Sequence, residues 1–357
     1  MRTFPKINEM KKILYLLLAI LIISCSEEKL EDAELKEFEI VEISNPNLLL
    51  LKTEIIDESK SVFIYIDNNL DIESFPISIF SEVIISKGAK TSLNNKGELT
   101  FETNEDIISF VIEAENGNTS SWNVSLVHKQ LQNSDFEAWH ENKGLNGYFY
   151  KEIGSSSEAL VWATANMGTS TYATYGTQPL IIENNTLVQI RTDSVQSIPL
   201  TAATLFTGSF NLSGAITNPT NPKKATIFGT PFAYSPKAFK IKYKYSAGKW
   251  YKQATLINSS NIFGGFEEEG ILGEDQCAIY AILENREGNS VIEIAKAELY
   301  SNSTEDKFIE ETITFNYTSQ LSPTHVTVVF SSSKDGDLWR GAVGSTLVID
   351  DLEFIYD

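Results

Sequence analysis

Apolar and polar positions alternate with a period of two through most of the chain beyond residue 37. Segments such as FEIVEI, SVFIYI, SEVIIS, ELTFET and SFVIEA are separated by Asp-Asn-Asn, Lys-Gly, Asn-Asn-Lys-Gly and Asn-Gly. That pattern predicts half-buried strands joined by turns, and no stretch sustains a helical period. AENGNTSSWNVSLV reads as a closing hairpin, because Asn116-Gly117 supplies the positive φ angles of a tight turn. A first all-β unit is therefore expected over residues 37–128.

A second strand-rich unit is expected over residues 130–357. ALVWAT, LVQIRTD, TLFTGSFNL, AFKIKYKYS, CAIYAIL, VIEIAKAEL, ETITFNYT, THVTVVFSSS and STLVIDDLEFIYD are set apart by Gly, Asn, Pro and Ser clusters. Strands this numerous imply a sandwich or jelly roll. Residues 201–206 and the segment AELYSNSTEDKF are the places where a short helix would fit. In AFKIKYKYS a strand buries Phe239, Ile241, Tyr243 and Tyr245 and presents Lys240, Lys242 and Lys244 as a solvated row. In the last segment, alternation puts Val348, Asp350, Leu352, Phe354 and Tyr356 on one face. Asp350 is the single charge there, so it requires a partner.

The N-terminus sets the compartment. Lys11-Lys12, the apolar run ILYLLLAILII and Ser24-Cys25 have the layout of a secretory signal over residues 1–24, with 1–9 read as an upstream start. The run is short for a membrane span. Ile22-Ile23-Ser24-Cys25 resembles a lipobox, which implies lipidation of Cys25 and an acidic tether over 25–36. SerGluGluLys after the Cys resembles the export signal of surface lipoproteins in Bacteroidetes, so the expected location is the outer membrane, lipid-anchored and facing outward.

Removing residues 1–24 moves the net charge from −20 to −23, with 24 basic against 47 acidic residues. Nucleic acid is excluded as a partner, since phosphate binding needs a basic footprint. Residues 25–128 hold 21 acids against 7 bases and read as a solvated spacer. With Cys25 acylated, Cys277 is the remaining thiol; its apolar setting marks it as buried and inert.

No catalytic constellation is identified. A glycoside hydrolase needs two carboxylates aimed at one bond, yet no Glu-x-Asp-x-x-Glu strand occurs, and Glu267-Glu268-Glu269 reads as a solvated loop. His128, His140 and His325 are scattered, and neither a nucleophile elbow nor a phosphate loop is present. Sugar binding asks instead for flat apolar faces beside amides and charged groups. Trp162 with Asn166, Trp250 with Tyr251, and Trp339 with Arg340 supply those types, although an aromatic in a sandwich more often fills the core.

The ordered series NSDFEAW, VWATANMG, LFTGSF, GTPFAYSPKAFKIKYKY, DQCAIYAIL, SSSKDGDLWRGAVGS and LVIDDLEFIYD resembles the putative carbohydrate metabolism domain of Bacteroidetes lipoproteins, over nearly all of residues 133–357. Ser235-Pro236 departs from the Arg-Pro expected in that pattern. The resemblance implies a jelly roll similar to carbohydrate-binding modules and to some glycanase folds. The first unit resembles the small immunoglobulin-like sandwiches that precede such domains. In jelly-roll binding modules a Glu near the start and an Asp near the end meet at a structural calcium, which would implicate Glu137, Asp350 and loop 142–147; the alternative is that the acids bond backbone amides or a Lys without metal. Asp193-Ser194-Val195 resembles a Bacteroidetes O-glycosylation acceptor at Ser194. The expected function is capture of an oligo- or polysaccharide alongside polysaccharide-utilisation proteins. A glycan-cleaving enzyme and a structural adhesin or surface-layer protein with no sugar site are the alternatives.

Overall fold

The computed structural model describes residues 30–67, 74–94, 96–104, 106–155, 161–218, 221–258, 261–288 and 290–356. The expected signal segment and Cys25 lie outside them. The described chain is all-β, with two hydrophobic cores.

The N-terminal core lies between two sheets. The first runs β1 (Leu35–Ile43), β4 (Ile77–Ile85), β6 (Glu98–Phe101). The second runs β2 (Leu50–Ile56), β3 (Ser61–Ile66), β8 (Thr119–Val127), β7 (Ile107–Glu113), β5 (Lys90–Thr91), with β3 and β8 parallel. Alternating positions point inward, so Phe38, Ile64, Ile79, Phe101, Phe110 and Trp122 pack together. The expected Asn116-Gly117 hairpin joins β7 to β8, with Gly117 at φ +93°.

The C-terminal core lies between two larger sheets, in a jelly-roll sandwich. One runs β12 (Thr177–Ile182), β13 (Asn185–Arg191), β28 (Thr346–Ile355), β19 (Ala238–Ser246), β24 (Ile309–Thr314). The other runs β11 (Trp162–Thr164), β16 (Thr204–Phe210), β26 (His325–Ser331), β22 (Cys277–Glu287), β23 (Ser290–Ser301), β25 (Asn316–Tyr317), flanked by β17 (Thr226–Phe228) and β18 (Thr230–Pro231). Hairpins β9 (Trp139–Lys143) with β10 (Phe149–Ile153) and β14 (Asp193–Val195) with β15 (Ile198–Thr201) sit beside them. Of the places expected to hold a short helix, residues 201–206 join β15 to β16, and AELYSNSTEDKF is the end of β23 followed by a turn. The short helices α1 (Asn166–Thr169) and α2 (Leu212–Thr217) fall in loops after strands instead.

Strand β19 follows its sequence pattern: Phe239, Ile241, Tyr243 and Tyr245 are buried in the core. Each outward lysine meets an acid: Lys240 with Glu353 at 2.8 Å, Lys242 with Asp350 at 3.0 Å, and Lys244 with Asp306. Strand β28 departs from its pattern. The register against β19 shifts between Lys240–Glu353 and Lys242–Asp350, and Asp351 takes φ +52°. This bulge reverses the alternation, so Leu347 and Ile349 before it and Leu352 and Phe354 after it all face the core. Asp350 therefore lies on the opposite face from Leu352 and Phe354, beside Lys242.

The two sandwiches are joined by specific contacts. Tyr65 of β3 is fully buried in the C-terminal core cluster. The Tyr234 hydroxyl sits between the carbonyl oxygens of Ile66 (2.7 Å) and Val127 (2.8 Å), and Lys129 pairs with Asp67 at 3.1 Å.

Candidate functional site

A three-stranded accessory sheet lies against the C-terminal sandwich, ordered β21 (Phe266–Gly270), β20 (Lys252–Leu256), β27 (Arg340–Gly341). The acid run 267–269, expected in a loop, is thus part of a strand. Register pairs Lys252 with both Gly270 and Gly341, and Gln253 with both Glu269 and Arg340. Alternation then gives the sheet two faces. The inner face carries Lys252, Ala254, Glu268, Gly270 and Phe266. Gly341 belongs to it too: a Cβ there would lie 2.7 Å from Ser333 Oγ and 3.2 Å from Asp275 Oδ2, so only glycine allows this approach.

A buried polar network holds the sheet in place. Asp275 Oδ2 accepts from the Ser333 hydroxyl, from Ser345 Oγ (2.6 Å) and from the Ala342 amide (2.8 Å); Oδ1 accepts from the Gln276 amide (2.9 Å). Thr192 Oγ1 bonds the hydroxyls of Ser332 (2.8 Å) and Ser333 (2.6 Å), and Tyr245 donates to the Ser332 carbonyl at 3.0 Å. Burial pushes the Asp275 carboxyl up, opposed by its donors. A lone Asp among serines carries no sequence signal for this role.

The aromatics separate into two groups. Trp250 is 53% exposed, with the Lys252 ammonium 4.7 Å from its ring centroid. Lys252 is itself buried and donates to Glu268. The Trp250 indole edge lies against Gly270, where an added Cβ would come within 2.9 Å of Nε1. Trp339 contacts Phe266, centroids 5.2 Å apart, and its carbonyl accepts from Ala254 N at 2.8 Å. Trp339 caps the turn Gly336–Leu338 in the left-handed region at φ +60°, costing about 1–2 kcal/mol for a residue with a Cβ. Trp250 and Trp339, remote in sequence, thus flank one small sheet, Trp250 against Gly270 and Trp339 against Phe266.

Tyr251 is half-buried near Gly273 and Arg340, and burial raises its pKa. Arg340 is directed to the outer face, where Nε donates to Gln253 Oε1 at 3.1 Å.

Trp162 and Asn166 are corrections. Trp162 is 4% exposed, donates Nε1–H to the Gln132 carbonyl (2.9 Å) and packs on Phe136 and Phe330 at 5.4 and 6.1 Å, so no ring face is free for a sugar. Asn166 is 2% exposed. Its amide donates to the carbonyls of Thr177 (2.7 Å) and Lys151 (3.2 Å), which fastens a loop.

The two acids expected at a calcium reach adjacent residues, Thr186 and Asn185. Exposed Glu137 accepts from the Thr186 amide at 3.1 and 3.2 Å, and Asp350 Oδ2 accepts from Asn185 Nδ2 (2.8 Å) and Lys242 Nζ (3.0 Å). The cation beside Asp350 is an ammonium. Loop 142–147 packs elsewhere, with the Leu145 amide on Ser170 Oγ at 2.8 Å. Calcium takes six to eight oxygens, and among the described residues no group of three His, Cys, Asp or Glu could hold a metal. Asp350 Oδ1, the other oxygen of that carboxylate, is buried without a hydrogen-bond partner among the described residues.

The histidines lie apart, and burial lowers the pKa of His128 and of His325 to about 4. Burial pushes the Cys277 thiol up to about 12, consistent with an inert side chain. Ser194 is exposed on the β14–β15 hairpin.

The family model of the "Putative carbohydrate metabolism domain" matches residues 135–355. Among solved structures, a putative glycoside hydrolase from Bacteroides thetaiotaomicron is 23% identical, with 93% of this chain and 99% of that one covered at a TM-score of 0.51. At that identity the likeness shows a shared fold. A putative glycoside hydrolase from Bacteroides vulgatus is also 23% identical, covering 62% of this chain and 97% of its own at a TM-score of 0.49. A carbohydrate-binding module of the β-sandwich superfamily is 7% identical, covering 79% and 92% at a TM-score of 0.28. No curated protein matches the chain.

Proposed function

The chain belongs to the putative carbohydrate metabolism domain family, and from that premise we propose that it binds glycans along the aromatic rim of its accessory sheet. The observation that carries this reading is Trp250, an indole half exposed at the entry to β20 and backed by buried Lys252. Lys252 and Gly270 fix its plane before any ligand arrives, so little ordering cost remains to be met on binding. A sugar ring presents CH groups to such a face, while Glu268 and the backbone of β21 offer hydrogen-bond acceptors to its hydroxyls. Half-buried Phe266 and Trp339 extend the apolar rim.

The setting we propose is the outer membrane surface, with Cys25 lipidated as the IISC motif implies and polysaccharide-utilisation proteins as neighbours. The contacts of Tyr234 and Lys129 between the sandwiches support a spacer that carries the rim at a fixed attitude.

Affinity electrophoresis through gels containing soluble polysaccharides tests the binding, with reducing-sugar release followed on the same panel. Retardation without release is expected, and Trp250→Ala should weaken it about tenfold, some 1.4 kcal/mol, at unchanged melting temperature. Release of sugar would turn the reading to an enzyme; neither release nor retardation would turn it to an adhesin. Detergent-phase partitioning of Cys25→Ala tests the anchor, and unchanged retention in the detergent phase would refute it.

A further inference from the structure

The acid-bearing strand of the accessory sheet has an unused edge. Ile271 N donates to the Tyr251 carbonyl at 3.0 Å and Ile257 N to the Gly265 carbonyl at 3.2 Å, which fixes the phase of the ladder between β21 and β20. Glu269 with Gln253 and Glu267 with Thr255 therefore exchange the inner bonds, while Phe266, Glu268 and Gly270 turn their amides and carbonyls away from β20. Among the described residues no strand takes them. β21 is the last strand of its sheet, and although β15 approaches it, the two do not pair. Residues 267–270 are all exposed.

Two features define the strand that fits this edge. Alternation turns Glu267 and Glu269 to the outer face; Glu268 is bound to Lys252, whereas among the described residues Glu267 and Glu269 have no ion pair. A second copy of β21 is excluded, because self-pairing about Glu268 sets Glu267 against Glu269 and places like charges opposite each other. Acids alone would guard an edge against pairing. Here, however, large apolar side chains stand at both ends of the strand: Ile257 and Phe263 in the turn between β20 and β21, 63% and 55% exposed, and Leu272 after it, fully exposed. Guarding needs no such groups, whereas protein contact surfaces are built from them and rimmed by charge.

We propose that the free edge of β21 docks an extended segment of a partner protein, one that carries Lys or Arg at alternate positions with apolar residues between them. The segment extends the ladder at Phe266, Glu268 and Gly270. Its basic residues then lie across from Glu267 and Glu269, and its apolar residues share the inner face with Phe266. Main-chain bonds supply the affinity, and the two acids select the sign of the partner. Docking at this edge is independent of glycan stacking, since it requires no contact with the Trp250 ring.

The test is a titration of the full-length protein at physiological ionic strength, followed by amide hydrogen exchange in NMR spectra. The probe is a capped seven-residue peptide of alternating valine and lysine, compared with the same peptide N-methylated on its valine amides and with a valine–glutamate peptide. At saturation the lysine peptide should slow exchange at Phe266, Glu268 and Gly270 about tenfold, and the methylated peptide should not. Glu267→Lys combined with Glu269→Lys should bind the lysine peptide about tenfold more weakly and take the glutamate peptide instead. Glu37→Lys combined with Glu39→Lys, which reverses two exposed acids at the same spacing on edge strand β1, should bind like the parent. The methylated peptide needs no variant, so the outcome does not depend on how the variants fold. The proposal is overturned if the lysine peptide leaves the three amides unprotected, if the methylated peptide protects them equally, if the reversed β21 edge still prefers lysine, or if reversal on β1 weakens binding as much as reversal on β21.

Discussion

Replacing Asp275 by alanine should loosen the accessory sheet before it unfolds the sandwich. The carboxylate is 2% exposed and accepts four hydrogen bonds, two from hydroxyls and two from the amides of Gln276 and Ala342. Ser333 and Ser345 can rotate toward other acceptors, but the two amides cannot. Each buried N–H left unpaired costs about 1–3 kcal/mol, so the loss is on the order of 4 kcal/mol before any return. Removing a buried charge gives part of that back, leaving a net cost of about 3 kcal/mol. For a domain of this size the melting temperature should fall by roughly 6–12 °C. Ala342 directly follows β27, so hydrogen exchange should quicken at Gly341–Ala342 and at the β20 amides paired with β27 while the β22 amides stay protected. Calorimetry together with exchange mass spectrometry measures both effects. A change below about 0.5 kcal/mol, or uniform loss of protection across the sandwich, would refute the view that Asp275 pins this sheet.

Three further outcomes are expected. Burial raises the Glu152 pKa from 4.5 to about 7, so the folded state retains a proton that the unfolded chain releases, and stability should fall as pH rises across that window; Glu152→Gln should match the parent near pH 4.5 and exceed it by about 2 kcal/mol at pH 8, the full shift being discounted for the residue's partial exposure, as read by urea melts at both pH values. Lys242→Met leaves fully buried Asp350 without its cation and should cost about 3 kcal/mol, and calcium should restore none of it in thermal melts. Tyr234→Phe removes the hydroxyl between Ile66 and Val127, so calorimetry should show a loss of about 1 kcal/mol and a wider separation between the unfolding of the two cores.

The sheets were legible wherever alternation was strict. AFKIKYKYS specifies both the inward aromatics and the lysine row, and each lysine finds an acid because β28 carries Glu353 and Asp350 and the turn before β24 carries Asp306. In β28 the same logic failed at one point, since the bulge at Asp350–Asp351 reverses the faces. Asp tolerates the left-handed region better than most residues, but a paired Asp does not announce a bulge. The reading that Asp350 needs a partner rests on a face shared with Leu352 and Phe354 that the bulge breaks; its full burial beside Lys242 is what makes the pairing necessary.

The candidate site was legible only in its ingredients. Trp250 and Trp339 looked unrelated because β20–β27 pairing, a long-range contact, is what joins them. Trp162 looked equivalent to them, yet Val161 and Ala163 flank it with apolar neighbours, a sign of the core position it occupies. The Asp275 network uses single polar residues from distant segments, and no local spacing marks it.

The most direct measurement is a crystal structure of the full-length protein with an oligosaccharide drawn from whichever polysaccharide retards it. The account expects a sugar ring stacked on Trp250, with the chain following Phe266 and Trp339 along the inner rim of the accessory sheet. Sugar bound with Trp250 untouched, on the lysine row of β19 or on the N-terminal sandwich, would contradict it.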